Sequence, residues 1–399
     1  MIELNPRQTV ILAIFVLFLG RYLNQKIRFL REYNIPEPVT GGILASLLSA
    51  AFYFGVDIEL AFDLGARDTL LVVFFTTIGL SSRLETLLKG GVSLLILLVV
   101  AVGYLFLQNL TGLTAVAATG LPPAIGVIGG SVSLSGGHGT AIAWAPTFVE
   151  QYNVGNALEI GIACATFGLI LGGLVGGPLA KFLITRYQLK STEEELPTVG
   201  IPYEEEHLKI DLDNVLNAIL VIALAIGLGL QLNDLLSFTG LRLPAFVTSL
   251  FAGIIMTNTI PLIFPRMRMP TGTPTLALFS DLSLSLFLAM SLMSLQLWTL
   301  LGLGGPLLLL LAAQVVVVVL FAVFVVFNAM GRSYDAAVIS AGYVGLALGA
   351  TPTAIANMTA VTKSFGASAR AFIVVPLVGA FFIDIANALI IQKLLSWLG

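Results

Sequence analysis

Two stretches of the sequence decide the fold: SLSGGHGTAIAW at residues 133–144 and LALGATPTAIAN at residues 346–357. A shift of 213 residues superimposes them, with Gly136 on Gly349 and an identical Thr-Ala-Ile-Ala run in each. The wider segments around them, residues 121–147 and 336–358, are crowded with Gly, Pro, Ser and Thr, and glycine and proline disfavour an unbroken helix. Paired interruptions at corresponding positions of two chain halves are typical of the binding region of a transporter.

The rest of the chain is strongly apolar. Of its 399 residues 57% are hydrophobic and only 10% are charged, and the mean hydropathy is +1.00. Such a chain lacks the polar surface of a water-soluble enzyme, and a net charge of −3 gives no basic face for nucleic acid. The single cysteine, Cys164, cannot form an intrachain disulfide. Composition therefore predicts an all-α integral membrane protein.

About a dozen apolar stretches approach the roughly 20 residues that a helix needs to cross a bilayer. They lie at residues 9–22, 36–55, 69–82, 91–110, 121–147, 157–180, 214–232, 243–264, 276–297, 306–330, 336–358 and 371–392. A polar segment with two runs of three glutamates separates the sixth stretch from the seventh. The predicted domains are an N-terminal repeat (1–187), an acidic linker (188–213) and a C-terminal repeat (214–399).

The distribution of Lys and Arg decides whether the two interrupted stretches cross the membrane. Basic residues accumulate in cytoplasmic loops. If both stretches are re-entrant hairpins, each half has five crossings, and 15 of the 19 Lys and Arg residues lie inside. If both cross, nine lie inside and ten outside, which is no bias. The hairpin arrangement is therefore favoured.

Five crossings is an odd number, so the second half must be inverted relative to the first. The predicted fold has two inverted five-helix repeats, each with a re-entrant or broken-helix hairpin. Both termini would lie outside and the acidic linker in the cytoplasm. Inverted repeats with broken helices are characteristic of secondary transporters.

The hairpins supply the candidate substrate site. Broken helices expose amide donors at N-termini, which suit anions, and free carbonyls, which suit a hard cation such as sodium. Neighbouring hydroxyl and amide side chains add neutral ligands. The predicted substrate-binding residues are Ser133, Ser135, Gly136, Gly137, His138, Gly139, Thr140, Thr351, Pro352, Thr353 and Asn357.

A sodium site is predicted from a smaller set of residues. Asp384 lies inside the last apolar stretch with Asn387 one helical turn away, and an intramembrane carboxylate is costly unless it has a partner or a function. The predicted sodium ligands are Asp384, Asn387, Ser135, Thr351 and Asn357. No other cofactor is expected.

Two further patterns bear on function and packing. Ser135 and His138 could form a nucleophile and base in an intramembrane hydrolase, but no oxyanion motif accompanies them, so a non-enzymatic role is expected. Gly168, Gly172 and Gly176 are four residues apart and predict a face for close helix packing.

Several motifs resemble the bacterial sodium/glutamate symporter family in order along nearly the whole chain. They are IPEPVTGG (35–42), SLSGGHGTA (133–141), ATFGLILGGLVGGP (165–178), SLSLFLAM (283–290), YDAAV (334–338), GATPTAIANM (349–358) and VPLVGAFFIDIANALI (375–390). The resemblance implies a homodimer in the inner membrane that couples inward sodium flow to uptake of L-glutamate. It places the hairpin motifs at residues 135–140 and 349–357.

The residues alone leave the transported substrate open. A sodium-coupled symporter of citrate, malate or another carboxylate fits the same pattern, because spacing does not distinguish these anions. A channel is disfavoured by the repeat and by the absence of charged pore rings.

Overall fold

The structure of the protein is a computed structural model that describes residues 2–32, 35–83, 91–191, 211–237, 243–264, 269–300 and 302–398. The two glutamate runs of the predicted linker lie outside these residues.

Helices dominate both halves of the chain. The first half contains β1 (Ile2–Leu4), α1 (Pro6–Lys26), α2 (Arg28–Glu32), α3 (Glu37–Val56), β2 (Leu60–Phe62), α4 (Gly65–Ser81), α5 (Gly91–Ala117), α6 (Pro123–Val127), the π-helix π1 (Ile128–Val132), α7 (Gly137–Tyr152) and α8 (Ala157–Tyr187). The second half contains α9 (Leu212–Ser237), α10 (Ala245–Ile263), α11 (Pro274–Met293), a 3₁₀ turn (Leu297–Leu300), α12 (Gly304–Phe321), π2 (Ala322–Val326), α13 (Phe327–Ala329), α14 (Tyr334–Leu348), α15 (Thr351–Phe365), α16 (Ala369–Leu377), π3 (Val378–Phe382) and α17 (Ile383–Leu398).

The prediction of a helical membrane protein is confirmed at this level. Among the described residues, eight helical segments are long and apolar enough to cross a membrane. Two more predicted spans are helical but differ in detail, because α4 has only 17 residues and π3 interrupts the last span. The two glycine-rich stretches are broken, at residues 133–136 and 349–350.

The short parallel pair β1–β2, in which Ile2 faces Leu60 and Leu4 faces Phe62, is not predicted from the sequence. Each strand lies shortly before a long helix. The backbone groups there are outside any helical ladder, and pairing satisfies them.

The chain forms two compact units, and each combines helices from both halves. The first comprises Met1–Ile27, Pro36–Glu85 and Tyr203–Leu297, and the second comprises Arg28–Ile35, Thr86–Pro202 and Trp298–Gly399. The predicted sequence halves and these compact units are thus different divisions of the same chain.

Besides the β1–β2 pair, the described part of the first unit consists of long, uninterrupted helices, which cross closely at small residues. A Cβ on Gly41 of α3 would lie 2.0 Å from the backbone oxygen of Val16 in α1. The core includes a cluster of Leu80, Val221 and Met256 from three different helices. Close backbone approach at small residues is the usual packing mode of membrane helices.

The second unit contains all the interrupted helices. Its core includes Tyr104 of α5, whose ring lies 4.8 Å from that of Phe321 and 5.8 Å from that of Tyr343. Trp144 of α7 and Phe327 are fully or almost fully buried. The interrupted segments are therefore held within a well-packed body.

Large apolar side chains remain exposed on the long helices. Examples are Phe15, Val99 and Phe324, each at least 65% exposed. Apolar surface on this scale is unusual for a soluble monomer and matches contact with lipid tails.

The α1–α3 crossing can be tested with a matched pair of substitutions in α3. We expect Gly41→Ala to destabilise the protein by about 1–3 kcal/mol, because the added methyl group would meet backbone rather than a movable side chain. Gly55→Ala is the control, since nothing lies within 4 Å of a Cβ there. Thermal unfolding of both purified variants in detergent measures the difference, and equal midpoints would contradict the assigned crossing.

Candidate functional site

The first interrupted segment, whose tip we define as residues 133–140, departs from helical geometry inside π1 and unwinds fully after it. Gly130 leaves helical geometry with φ −97° and ψ −129°. Residues 133–136 form a turn in which the Gly136 amide donates to the Ser131 carbonyl at 2.9 Å. Gly137 then begins α7 with a φ of +66°, a region that favours glycine. The predicted break is confirmed, and glycine is needed where the chain turns.

The second interrupted segment, whose tip we define as residues 346–353, breaks between α14 and α15. These helices lie side by side and antiparallel: a Cβ on Gly345 would lie 2.8 Å from the Ala354 nitrogen, and one on Gly342 would lie 2.7 Å from the Met358 sulfur. The predicted break at Gly349 is therefore the bend of a helical hairpin.

The two tips meet. The Ser135 hydroxyl of the first tip lies 3.3 Å from the carbonyl oxygen of Ala347 in the second. A Cβ on Gly137 would lie 3.6 Å from the Gly349 carbonyl oxygen. Gln108 of α5 joins them, accepting from the Ser135 hydroxyl at 2.6 Å and donating to the Ala347 carbonyl at 2.8 Å.

Two helices begin where the tips meet. α7 begins after Gly136 and α15 after Ala350, and neither has a side-chain cap. Pro352 in the first turn of α15 has no N–H, but the neighbouring amides do. Uncapped N-termini present N–H donors and a partial positive charge, so together they can receive an anion.

Polar side chains of the first tip are mostly buried and engaged. His138 Nε2 lies 3.0 Å from the Thr166 hydroxyl of α8. The Ser135 hydroxyl has one proton, and its shortest contact directs that proton to Gln108 rather than to His138. Thr140 packs across the turn against Gly136. These contacts do not form the nucleophile and base pair of a hydrolase.

Two hydroxyls at the tips are different. Within the described part of the chain, Ser133 Oγ and Thr353 Oγ1 are buried without a hydrogen-bond partner. Unmade hydrogen bonds of this kind are uncommon in folded proteins. They leave one available hydroxyl in each tip.

The other predicted residues of the second tip differ in exposure. Asn357 is buried, and its amide donates to the carbonyls of Gly172 at 3.0 Å and Ala341 at 3.2 Å, so it also holds α8 to the hairpin. Thr351 is half-buried, with its hydroxyl 2.7 Å from a Cβ placed on Gly379 of π3. Pro352 is exposed, and in the first tip Gly136, Gly137 and Gly139 are half-buried.

The predicted sodium ligands of α17 lie at its beginning, directly after π3. Asp384 is half-buried in the first turn. Asn387 is buried, and its amide donates to the Ser131 carbonyl at 2.9 Å. Its Oδ1 atom has no hydrogen-bond partner among the described residues. α17 therefore contacts the first interrupted segment at its unwound part.

The sequence-based prediction does not include three buried amide residues around the interrupted segments: Gln108, Asn109 and Gln314. The Asn109 amide donates to Ser131 Oγ at 2.7 Å and its oxygen accepts from the Ser131 amide at 3.1 Å. Gln314 donates to the Gln108 carbonyl at 2.8 Å and lies 3.3 Å from the Gly129 carbonyl. The available signal was an amide side chain inside an otherwise apolar span, at YLFLQNL and LLAAQVV.

Comparison with known proteins identifies the chain. The sequence pattern of the family described as sodium/glutamate symporter matches residues 2–367. The sodium/glutamate symporters of Escherichia coli (strain K12) and Shigella flexneri are each 42% identical to it over 400 residues, which cover 98% of this chain and 98% of each relative. That of Haemophilus influenzae is 43% identical over 389 residues, with 96% of each chain covered.

This chain belongs to the sodium/glutamate symporter family. The match includes both interrupted segments and most of each compact unit. The family is one of transporters, which agrees with the engagement of Ser135 and His138 by other partners.

In this symporter family member, the glycine face of α8 packs against the second hairpin, as predicted. A Cβ on Gly168 would lie 2.3 Å from the Leu348 carbonyl oxygen, and one on Gly176 would lie 2.1 Å from Asn357 Nδ2. The close approach is what lets Asn357 reach the Gly172 carbonyl. The stripe is a packing surface that positions the hairpin.

Adjacent glycines of α8 provide a test of this packing. We expect Gly176→Ala to displace Asn357, lowering stability by about 1–3 kcal/mol and reducing transport, since overpacking in a filled interior is costly. Gly177→Ala is the control, because nothing lies within 4 Å of a Cβ there. Thermal unfolding and uptake rates in reconstituted vesicles would be compared. Similar behaviour of the two variants would refute the positioning role.

Proposed function

We propose that this chain couples inward sodium flow to uptake of L-glutamate, and that both bind where the two tips meet. Family membership supports sodium and glutamate as the transported pair. The single observation that carries the location is the convergence of two uncapped helix N-termini, those of α7 and α15, at contacting tips.

The chemistry of glutamate matches this arrangement. It carries two carboxylates, and two helix N-termini offer N–H donors to them without a fixed positive side chain. Gly137 and Thr351 are half-buried and Pro352 is exposed, so these residues give access to the two tips. Ser133, Ser135, Gly136, His138, Gly139, Thr140, Thr353 and Asn357 complete the proposed substrate site.

Sodium binds beside the substrate in this proposal. A hard cation prefers oxygen ligands, and Asp384, Ser135, Thr351, Asn357 and Asn387 supply carboxylate, hydroxyl and amide oxygens. Of these, Asp384 and Thr351 are half-buried, and Asn387 Oδ1 is without a partner among the described residues. The positive charge would offset Asp384 and so favour entry of an anionic substrate. Apart from the ion, the proposed mechanism uses no cofactor.

The element order supports two repeats. α12 begins 213 residues after α5, α15 begins 214 after α7, and α16 begins 212 after α8. In the first unit, Gly42 of α3 meets Leu292 of α11, while Leu250 of α10 meets Gly79 of α4. The second contact joins the corresponding pair of helices with the halves exchanged, as expected for two inverted repeats.

Helix length supports the re-entrant placement of the hairpins. α14 and α15 have 15 residues each, which gives about 22 Å at 1.5 Å per residue. The hydrocarbon core is about 30 Å thick, so neither arm spans it alone. Two five-crossing repeats then place both termini outside and the acidic linker in the cytoplasm of an inner-membrane protein. The family resemblance implies that the protein is a homodimer.

Transport would proceed by alternating access. The second unit contains both tips and the three described π-helices, whereas the described helices of the first unit are long and uninterrupted. We assign the second unit as the moving block and the first as the scaffold. Citrate or malate remains the alternative substrate, but the names of the relatives favour glutamate.

The decisive experiment is uptake into liposomes that contain the purified protein. An inward sodium gradient should drive accumulation of labelled L-glutamate, and unlabelled glutamate should compete better than citrate or malate. Replacing sodium with potassium at equal ionic strength is the control. Glutamate accumulation that does not depend on the sodium gradient would refute coupling to sodium. Stronger competition by citrate than by glutamate would refute glutamate as the substrate.

Thr351 tests the position of the site. We expect Thr351→Ala to raise the apparent constant for glutamate or sodium by roughly 5- to 30-fold, since a lost hydrogen bond to a charged group corresponds to about 1–2 kcal/mol. Thr114→Ala is the control, because its hydroxyl bonds only within α5 to the Thr111 carbonyl. Uptake kinetics at varied sodium and glutamate measure both constants. Unchanged constants in Thr351→Ala would remove this residue from the site.

Asp384 tests the sodium site. We expect Asp384→Asn to weaken the dependence of uptake on sodium more than the dependence on glutamate, because the substitution keeps the side-chain size and removes the charge. The exposed Asp68→Asn in α4 is the matched control. A sodium curve identical to that of the unmodified protein would defeat the assignment of Asp384.

A further inference from the structure

We propose that Gln108 is a positioning residue that ties the two tips to each other and so contributes to the coupling between sodium and glutamate. The inference rests on the proposed function and goes beyond it, since Gln108 is assigned no contact with either ligand. It is carried by the hydrogen bonds of one buried side chain.

The Gln108 amide accepts a hydrogen bond at its oxygen and donates one from its nitrogen. Its oxygen accepts from the Ser135 hydroxyl at 2.6 Å, and its nitrogen donates to the Ala347 carbonyl at 2.8 Å. The residue is fully buried in α5. An amide is the side-chain group that offers a donor and an acceptor about 2 Å apart, so it can bridge a hydroxyl and a carbonyl.

The Ala347 carbonyl needs such a partner because of the break. It belongs to the last turn of α14, where carbonyls have no intrahelical donor. The Gly345 carbonyl accepts from the amide of Ala350 at 3.0 Å, within the bend itself. At Ala347 the donor comes from outside the hairpin, from the Gln108 side chain of α5. The end of α14 is therefore completed by a side chain of α5, which in turn accepts from the first tip.

A neighbouring buried amide contacts the same helix without reaching either tip. Gln314 of α12 donates to the backbone carbonyl of Gln108 at 2.8 Å and leaves the Gln108 side chain to the tips. Asn109 and Gln314 bond to the first interrupted segment and to α5, whereas Gln108 bonds to both tips. All three amides are fully buried, but of the three only the Gln108 side chain bonds to both tips.

Because one side chain bonds to both tips, the conformational order of one tip depends on that of the other. A ligand that fixes one tip also fixes Gln108, and the second tip then loses less conformational freedom when its own ligand binds. The result is a larger effect of sodium on glutamate affinity, and by linkage an equal effect of glutamate on sodium affinity. Without the bridge, each tip would respond to its ligand separately.

The test compares Gln108→Met with Gln314→Met in the purified full-length protein. Both replace a buried amide by an unbranched side chain of similar volume, but only the first removes the bridge. Glutamate affinity is measured by calorimetry at low and high sodium. We expect the factor by which sodium improves affinity to fall at least about fivefold in Gln108→Met and to be kept in Gln314→Met. An unchanged factor in Gln108→Met, or an equal fall in both, would overturn the proposal.

A second measurement does not depend on transport. Amide hydrogen exchange without ligands should be faster in Gln108→Met in peptides from both tips, and in Gln314→Met only around Gly129. Faster exchange confined to the first tip in Gln108→Met would overturn the bridge. If the unmodified protein fails to bind glutamate with sodium, the proposed function fails, while the exchange result still decides whether Gln108 ties the tips together.

Discussion

The constraint on which this structure depends is that a broken helix in a membrane must find hydrogen-bond partners without water. Each interruption frees carbonyls from one arm and amides from the other, and an unpaired backbone group in hydrocarbon costs several kcal/mol. Here buried amide side chains bond to the freed groups around Ser131 and Ala347. The same arrangement leaves the N-termini of α7 and α15 without side-chain caps. Those ends are where an anion can replace the missing partners.

The need for hydrogen-bond partners at each break explains why uninterrupted and interrupted helices belong to different compact units. The first unit is held by close crossings such as Gly41 on Val16, and its described helices have no internal break whose backbone groups need partners. The second must surround two breaks with donors and acceptors, and its polar side chains concentrate there. A moving element in a transporter has to keep its site intact while it changes exposure, which favours placing both tips in one body.

The sequence could predict the broken segments and their meeting because glycine and proline act locally and the repeat is visible in the residues. The apolar stretches likewise became helices, and the Gly168 to Gly176 face packs closely as its spacing indicated. The partners of the tips could not be predicted in this way. Gln108 and Gln314 lie 206 residues apart, and their contact depends on how two distant helices are packed. The pair β1–β2 depends in the same way on tertiary proximity.

Asn357 illustrates how far residue type alone can mislead about role. Its position after a helix break marks it as a ligand, yet its nitrogen bonds to two backbone carbonyls, one of them in α8. An amide has two ends, and only the oxygen is suited to a cation. A residue can therefore hold a helix with its nitrogen and still present its oxygen to an ion. In a site built from neutral groups, packing and binding are properties of the same side chain, and the network around the tips is part of the site.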